Sequence, residues 1–193
     1  MGRPSKKAER TEEIFQAFQR CVIRFGLEGS TLERIAEEAG LQRSLVRHYV
    51  GNRSELVEQL AERTIKQSNQ QWTALEAHLP ATGISQPLLD ILFDYESSSD
   101  ISLLFQALLF SAAQDASLKQ KLKDWTEHNI TAISQLLRRD YPDADAGTLK
   151  SVAFGLLSLY FNLDSLSPLE LMSDYRLPAR QAAEQLLSAL KTA

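Results

Sequence analysis

The sequence predicts an all-α protein: a small amino-terminal unit of three helices, joined by a long helix to a larger helical bundle. Three observations carry this reading. Apolar residues recur at helical spacing almost throughout, and no run alternates as a strand would. Residues that open and close helices stand where that periodicity starts and stops. The turns between periodic stretches are marked by Gly40, Pro80 and Gly83 and by polar runs such as SSSD at 97–100 and YPDAD at 141–145.

The first helix, Ala8–Phe25, places Ile14, Phe18, Cys21, Val22 and Phe25 on one face and stops at Gly26. Ser30 and Glu33 then have the S-x-x-E spacing of a capping box, in which each side chain satisfies a first-turn amide. Leu32, Ile35, Ala36 and Ala39 repeat at helical spacing, and Gly40 follows where a left-handed stop is needed. A short helix, Arg43–Tyr49, carries Arg43, Ser44, Arg47, His48 and Tyr49 around a minimal apolar anchor of Leu41 and Val46. Asn52 with Glu55 repeats the capping pattern and opens a longer helix.

That longer helix, Arg53–His78, places Leu56, Leu60, Thr64, Trp72, Leu75 and Leu79 near one face. At its usual rise it spans about 40 Å. Its middle, KQSNQQ at 66–71, is polar all round, as where a helix bridges two bodies through solvent. A domain boundary therefore falls inside the helix, dividing the chain into 1–60 and 61–193. Five more helices follow on periodicity: Pro87–Glu96, Ile101–Gln114, Leu118–Arg139, Ala146–Leu166 and Pro178–Lys191, with SPLELMSDYRLP at 167–178 as a turn. The helix Ala146–Leu166 is apolar on more than one face, which calls for cover on several sides.

With 44% hydrophobic and 24% charged residues among 193, the composition is that of an ordinary soluble globular protein. The apolar segments Leu88–Phe93 and Leu103–Phe110 fall far short of a membrane span. The start, MGRPSKKAER, lacks the apolar core of a signal peptide, so a cytoplasmic protein without a membrane partner is expected. Cys21 is the one cysteine and lies on an apolar face, the place of a buried structural thiol. The net charge of −4 hides an asymmetry. Residues 1–66 hold 12 Lys+Arg against 10 Asp+Glu, and residues 67–193 hold 9 against 15. Attraction to phosphate acts over about a Debye length, so the amino-terminal surplus counts locally despite the acidic total.

A compact unit with its donors gathered on the second of two helices has the form of a helix-turn-helix, whose second helix enters the DNA major groove. Arg43 and Arg47 are four apart on one helix face, and arginine bonds guanine bidentately; with Ser44 they are the candidates for base contact. Thr31, His48, Tyr49 and Arg53 are the candidates for phosphate contact, with capping for Thr31 and core packing for Tyr49 as parallel roles. Arg3, Lys6 and Lys7 form a basic arm, read either as a minor-groove contact or as a solubilising tail.

At these residues the chain resembles the TetR family of bacterial transcriptional regulators. The resemblance runs from about Ala8 to Leu60 and includes Phe18, Phe25–Gly26, Thr31, Ile35–Ala36, Ala39–Gly40–Leu41, His48–Tyr49 and Asn52–Arg53 ahead of Leu56. The family often has an aromatic where this chain has Arg47, and often Phe where it has Val50. The resemblance implies a homodimer that reads a palindromic operator in double-stranded DNA. It also implies a small-molecule effector whose binding changes the separation of the two recognition helices through the long helix.

In the carboxy-terminal part, Phe105, Phe110, Trp125, His128, Tyr160 and Asn162 mix aromatic and polar groups on apolar helices. They are candidates to line an effector pocket, or else an aromatic core with two surface polars. Few basic side chains lie on the central helices, so a neutral or cationic hydrophobic effector is expected. Phe154, Leu157, Leu187 and Leu190 are the candidate dimer interface. No spacing specifies a catalytic residue, a metal site or a cofactor loop, and an enzyme is not expected. The expected function is a sequence-specific DNA-binding regulator, a repressor released by its effector. The alternative is an effector-independent dimeric architectural protein or a partner-controlled adaptor.

Overall fold

The computed structural model describes residues 6–94 and 100–191, and Arg3 lies outside them. Among the described residues there are nine α-helices and no strand. The helices are α1 (Lys6–Gly29), α2 (Leu32–Glu38), α3 (Arg43–Val50), α4 (Arg53–Glu76), α5 (Ser85–Leu89), α6 (Asp100–Ala112), α7 (Ala116–Asp140), α8 (Ala146–Ser165) and α9 (Met172–Ser188). A π turn, Asp90–Asp94, continues α5, and a 3₁₀ turn, Ala189–Lys191, ends α9.

The chain divides into two compact units, Met1–Ser68 with Leu103–Leu122, and Asn69–Ser102 with Lys123–Ala193. The division inside α4 falls in its polar middle, eight residues beyond the expected boundary at 60. The inclusion of 103–122 in the first unit was not expected, because sequence order alone does not show a distant segment returning to the first bundle.

The first unit is built largely on the expected apolar faces, with Phe15 added and Phe25, expected on the apolar face of α1, left exposed. Ile14, Phe15, Phe18, Cys21 and Val22 of α1, Ile35 of α2, Val46 and Val50 of α3, and Leu56 and Leu60 of α4 are all nearly inaccessible. The α1 backbone breaks at Gly26, which has φ 69°. The expected cap of α2 is corrected by one residue. Thr31 accepts the amide of Arg34 at 3.3 Å, while the Ser30 hydroxyl turns inward and donates to the Gly26 carbonyl at 2.7 Å. At the other end, Gly40 (φ 65°) lets its own amide reach Glu37 and that of Leu41 reach Ala36, the paired bonds of a Schellman stop. The second capping box forms as expected: Asn52 Oδ1 accepts the Glu55 amide at 3.0 Å, and Glu55 Oε2 accepts the Asn52 amide at 3.1 Å.

The second unit has its own core, with Ile84, Leu88, Leu89 and Phe93 packed with Ile133, Leu136 and Leu137 of α7, Leu149, Val152 and Leu156 of α8, and Ala183 and Leu187 of α9. Two helix starts differ from expectation. Helix α5 opens at Ser85, where the carboxylate of Asp140 accepts the amides of Gly83 (2.7 Å) and Ser85 (2.8 Å) and the Ser85 hydroxyl (2.8 Å). This cap is supplied from 55 residues away, and Pro87 then falls in the first turn, where a missing N–H removes no bond. Helix α9 opens at Met172, after the left-handed Glu170 (φ 57°), so Pro178 lies inside it rather than at its start. Helix α8 with its following turn, Ala146–Leu169, is the one described helix long and apolar enough to cross a membrane, by length and composition. Only 28% of its 18-residue apolar stretch is buried within the chain.

Candidate nucleic-acid interface

Two opposed faces of α3 define the site. Val46 and Val50 are wholly buried and seat the helix on the bundle, whereas Arg43, Ser44, Arg47 and His48 are exposed. With 3.6 residues per turn, Arg43 lies over Arg47 and Ser44 over His48. Tyr49 is half-buried at the edge of this face, and its ring meets that of His48 edge-on at 5.3 Å.

The two arginines are not equivalent. Arg43 Nη1 is 2.9 Å from Glu33 Oε1 on α2, so Glu33 serves as a tether across the turn rather than as the capping partner of Ser30. Among the described residues, Arg47 makes no ion pair. It is the cation of α3 whose charge no carboxylate offsets.

Thr31 is exposed, and its hydroxyl hydrogen is free to donate outward while its oxygen caps α2. Lys6 and Lys7 are exposed on the first turn of α1. Arg53 is engaged within the bundle. Its guanidinium donates inward to the carbonyls of Leu27 (2.8 Å) and Ser30 (3.1 Å) and lies 3.2 Å from Glu28. Those bonds join the start of α4 to the end of α1, a positioning role that leaves the Arg53 side chain partly exposed.

Three further contacts around the site were not expected. Phe25 is 43% exposed, with the guanidinium groups of Arg34 and Arg24 over its ring at 4.8 and 5.0 Å. Arg20 Nε binds Glu38 at 2.7 Å, joining α1 to α2. Lys121 Nζ reaches Glu58 (2.8 Å) and Glu62 (2.7 Å) of α4, which ties the start of α7 to the first unit. Cys21 is buried, with its thiol against the Arg34 carbonyl at 3.8 Å, and burial pushes its pKa up, as suits a structural thiol.

The carboxy-terminal candidates separate. Phe105 is buried, but Phe110 is 87% exposed and lines no interior of the chain. His128 and Asn162, both in the second unit, are exposed. Trp125 and Tyr160 each meet Phe161 edge-on, at 5.7 and 5.6 Å. Beside them lies a polar knot that sequence reasoning missed: Ser102 Oγ donates to Asp164 Oδ2 at 2.6 Å, and both residues are buried. Burial and the Asp164 charge push the Tyr160 phenol up to about 12, and burial raises Asp164. Leu187 and Leu190 are buried in the core of the second unit, whereas Phe154 is 58% exposed. Among the described residues, no group of three or more His, Cys, Asp or Glu side chains is placed to hold a metal.

A bundle that presents a polar, cationic second helix beyond a Schellman turn defines a helix-turn-helix protein. Comparison with known proteins makes the class more particular. No protein-family profile matches the chain. It is 26% identical over 156 residues to the HTH-type transcriptional regulator BetI of Vibrio atlanticus (strain LGP32), covering 76% of this chain and 78% of that protein. A TetR-family regulator of Cytophaga hutchinsonii superposes with TM-score 0.74 at 15% identity, over 97% of this chain and 98% of its own. A TetR transcription regulator of Haloarcula marismortui ATCC 43049 gives 0.66 at 21% identity, over 94% and 97%. The chain has the all-α fold of the TetR-family regulators, and the resemblance carried by its first 60 residues extends over nearly its whole length.

Proposed function

We propose that this chain is a sequence-specific DNA-binding transcriptional regulator, a homodimeric repressor released from a palindromic operator by a small-molecule effector. The observation that carries this is the two-faced α3: it is anchored by Val46 and Val50 and presents Arg43, Ser44, Arg47 and His48 to solvent. Arg47 is suited to bidentate contact with guanine, and Thr31, His48, Tyr49, Lys6 and Lys7 supply donors for the phosphates on either side. The relatives, named as transcriptional regulators, support the same reading.

Dimerisation is inferred from α8. One stripe of it, Leu149, Val152, Ala153 and Leu156, enters the chain's own core, while Phe154 stands exposed with half-buried Leu157 nearby. A helix with one stripe in a protein core does not present its whole circumference to lipid, whereas a second copy covers the remaining face by two-fold symmetry. A cytoplasmic location follows from this role. The effector is expected to be neutral or cationic and hydrophobic.

The test is selection of binding sequences from a random duplex pool by the purified chain. The reading expects a palindrome whose half-sites are one helical turn apart, roughly 34–36 Å. An unenriched pool would contradict it.

A further inference from the structure

Glu33 places a carboxylate against the reading end of α3. It lies in the first turn of α2, and its Oε1 is 2.9 Å from Nη1 of Arg43, the first residue of α3. Neighbouring carboxylates serve the bundle: Glu38 binds Arg20 of α1, Glu28 meets Arg53 of α4, and Glu55 caps α4. Thr31 caps α2, so that task does not fall to Glu33. The next residue, Arg34, turns back to the Gly29 carbonyl at 2.7 Å and to the Phe25 ring. The side chains of Arg43 and Glu33 remain 62% and 59% exposed, and an ion pair so exposed adds little to stability.

A carboxylate on this face carries a cost in DNA binding, because it repels phosphate and offsets the cation beside it. Base edges give it a use. A carboxylate only accepts hydrogen bonds, and a guanidinium only donates them. In the major groove a C·G pair presents the cytosine N4 amine next to the guanine O6 and N7 acceptors. An A·T pair instead sets its amine between acceptors, which repel a carboxylate. The Glu33 bond engages Nη1 of Arg43 and leaves other N–H groups of the guanidinium for bidentate contact with guanine. In a helix-turn-helix the amino-terminal residues of the second helix meet base edges, and Arg43 opens that helix here.

We propose that Glu33 is a base-reading residue: its carboxylate accepts the N4 amine of a cytosine while Arg43 bonds the guanine paired with it. This rests on the DNA-binding reading above and adds an acidic, cytosine-selecting residue from α2, outside the recognition helix. Each side chain holds the other in place before DNA arrives, which reduces the side-chain entropy lost on binding. The pair is neutral as a whole, so it contributes discrimination between bases rather than general attraction to phosphate.

The test is selection from a random duplex pool by the full wild-type chain, Glu33→Ala, Arg43→Ala and Arg47→Ala, followed by affinities for the selected operator and a scrambled duplex. Glu33→Ala and Arg43→Ala should relax the preference at the same C·G pair of each half-site, whereas Arg47→Ala should alter a different pair. N4-methylcytosine in place of that cytosine puts a methyl group where the amine hydrogen faces the groove. It should weaken wild-type binding by about tenfold and Glu33→Ala binding far less. A carboxylate that merely repels phosphate predicts otherwise: Glu33→Ala would bind operator and scrambled duplex tighter in equal proportion. That outcome, an unchanged cytosine preference in Glu33→Ala, or equal sensitivity of the two chains to N4-methylcytosine would each overturn the proposal. A wild-type chain that selects an operator yet gives one of these results contradicts the role of Glu33 alone, whereas one that selects no operator contradicts the functional reading itself.

Discussion

Arg53 Nη2 lies 2.8 Å from the carbonyl oxygen of Leu27, and with the bond to Ser30 it joins the first residue of α4 to the frayed end of α1. Truncating this side chain leaves both carbonyls without their charged donor. Arg53→Ala should therefore destabilise the first unit by about 1.5–3 kcal/mol, read by urea unfolding. Under native conditions the slope of log K against log salt should stay as in the wild type. An unchanged unfolding midpoint with a slope shallower by about one would return Arg53 to the phosphate contacts.

The exposed and buried residues of the proposed dimer region should respond differently. Phe154→Glu introduces a charge on each side of a two-fold interface and should give a soluble monomer with operator affinity largely lost. Leu187→Ala opens a cavity in the core and should cost about 2–5 kcal/mol of stability without a specific effect on dimerisation. Sedimentation of both variants at equal concentration checks this. A Phe154→Glu chain that remains dimeric would place the interface elsewhere.

Asp140 couples folding to acid. Burial pushes its carboxyl up, but the donors from Ser85 and Gly83 together outweigh that and hold it below its ordinary value of 3.8. A carboxyl depressed in the folded state contributes stability that is fully present above the unfolded value and is lost as pH falls through the folded one. Thermal stability should thus drop below pH 3.8, and Asp140→Asn should lower stability at neutral pH while flattening that drop. An identical acid limb in the two proteins would contradict the assignment.

Local signals in the sequence were sufficient for much of the first unit. The Asn52–Glu55 box, the Gly40 stop and the Val46 anchor each act over a few residues, so their outcome is legible directly. Ser30 and Thr31 show the limit of this: both can cap, and the choice was made by the Gly26 carbonyl, which drew the Ser30 hydroxyl inward. Arg53 shows the same limit: a cation at a helix start suits phosphate as well as nearby carbonyls, and only the fold brings the Leu27 and Ser30 carbonyls to it. The starts of α5 and α9 are not legible locally for another reason: Asp140 caps α5 from a distance, and Pro178, a residue type suited to a helix start, lies inside α9. Asp164 was visible as a charge in an apolar helix, but its link to Ser102, 62 residues earlier in the chain, required the fold.

The central claim is that α3 reads base sequence through Arg47, while Arg43 is tethered by Glu33. Its most direct test compares the affinities of wild type and Arg47→Ala for a selected operator and for a scrambled duplex of equal length at one salt concentration. The variant should lose about 1–3 kcal/mol on the operator, with relaxed preference at one base position, and much less on the scrambled duplex. Equal losses on both duplexes would mean that Arg47 touches only phosphate, and would contradict the account of how this protein recognises DNA.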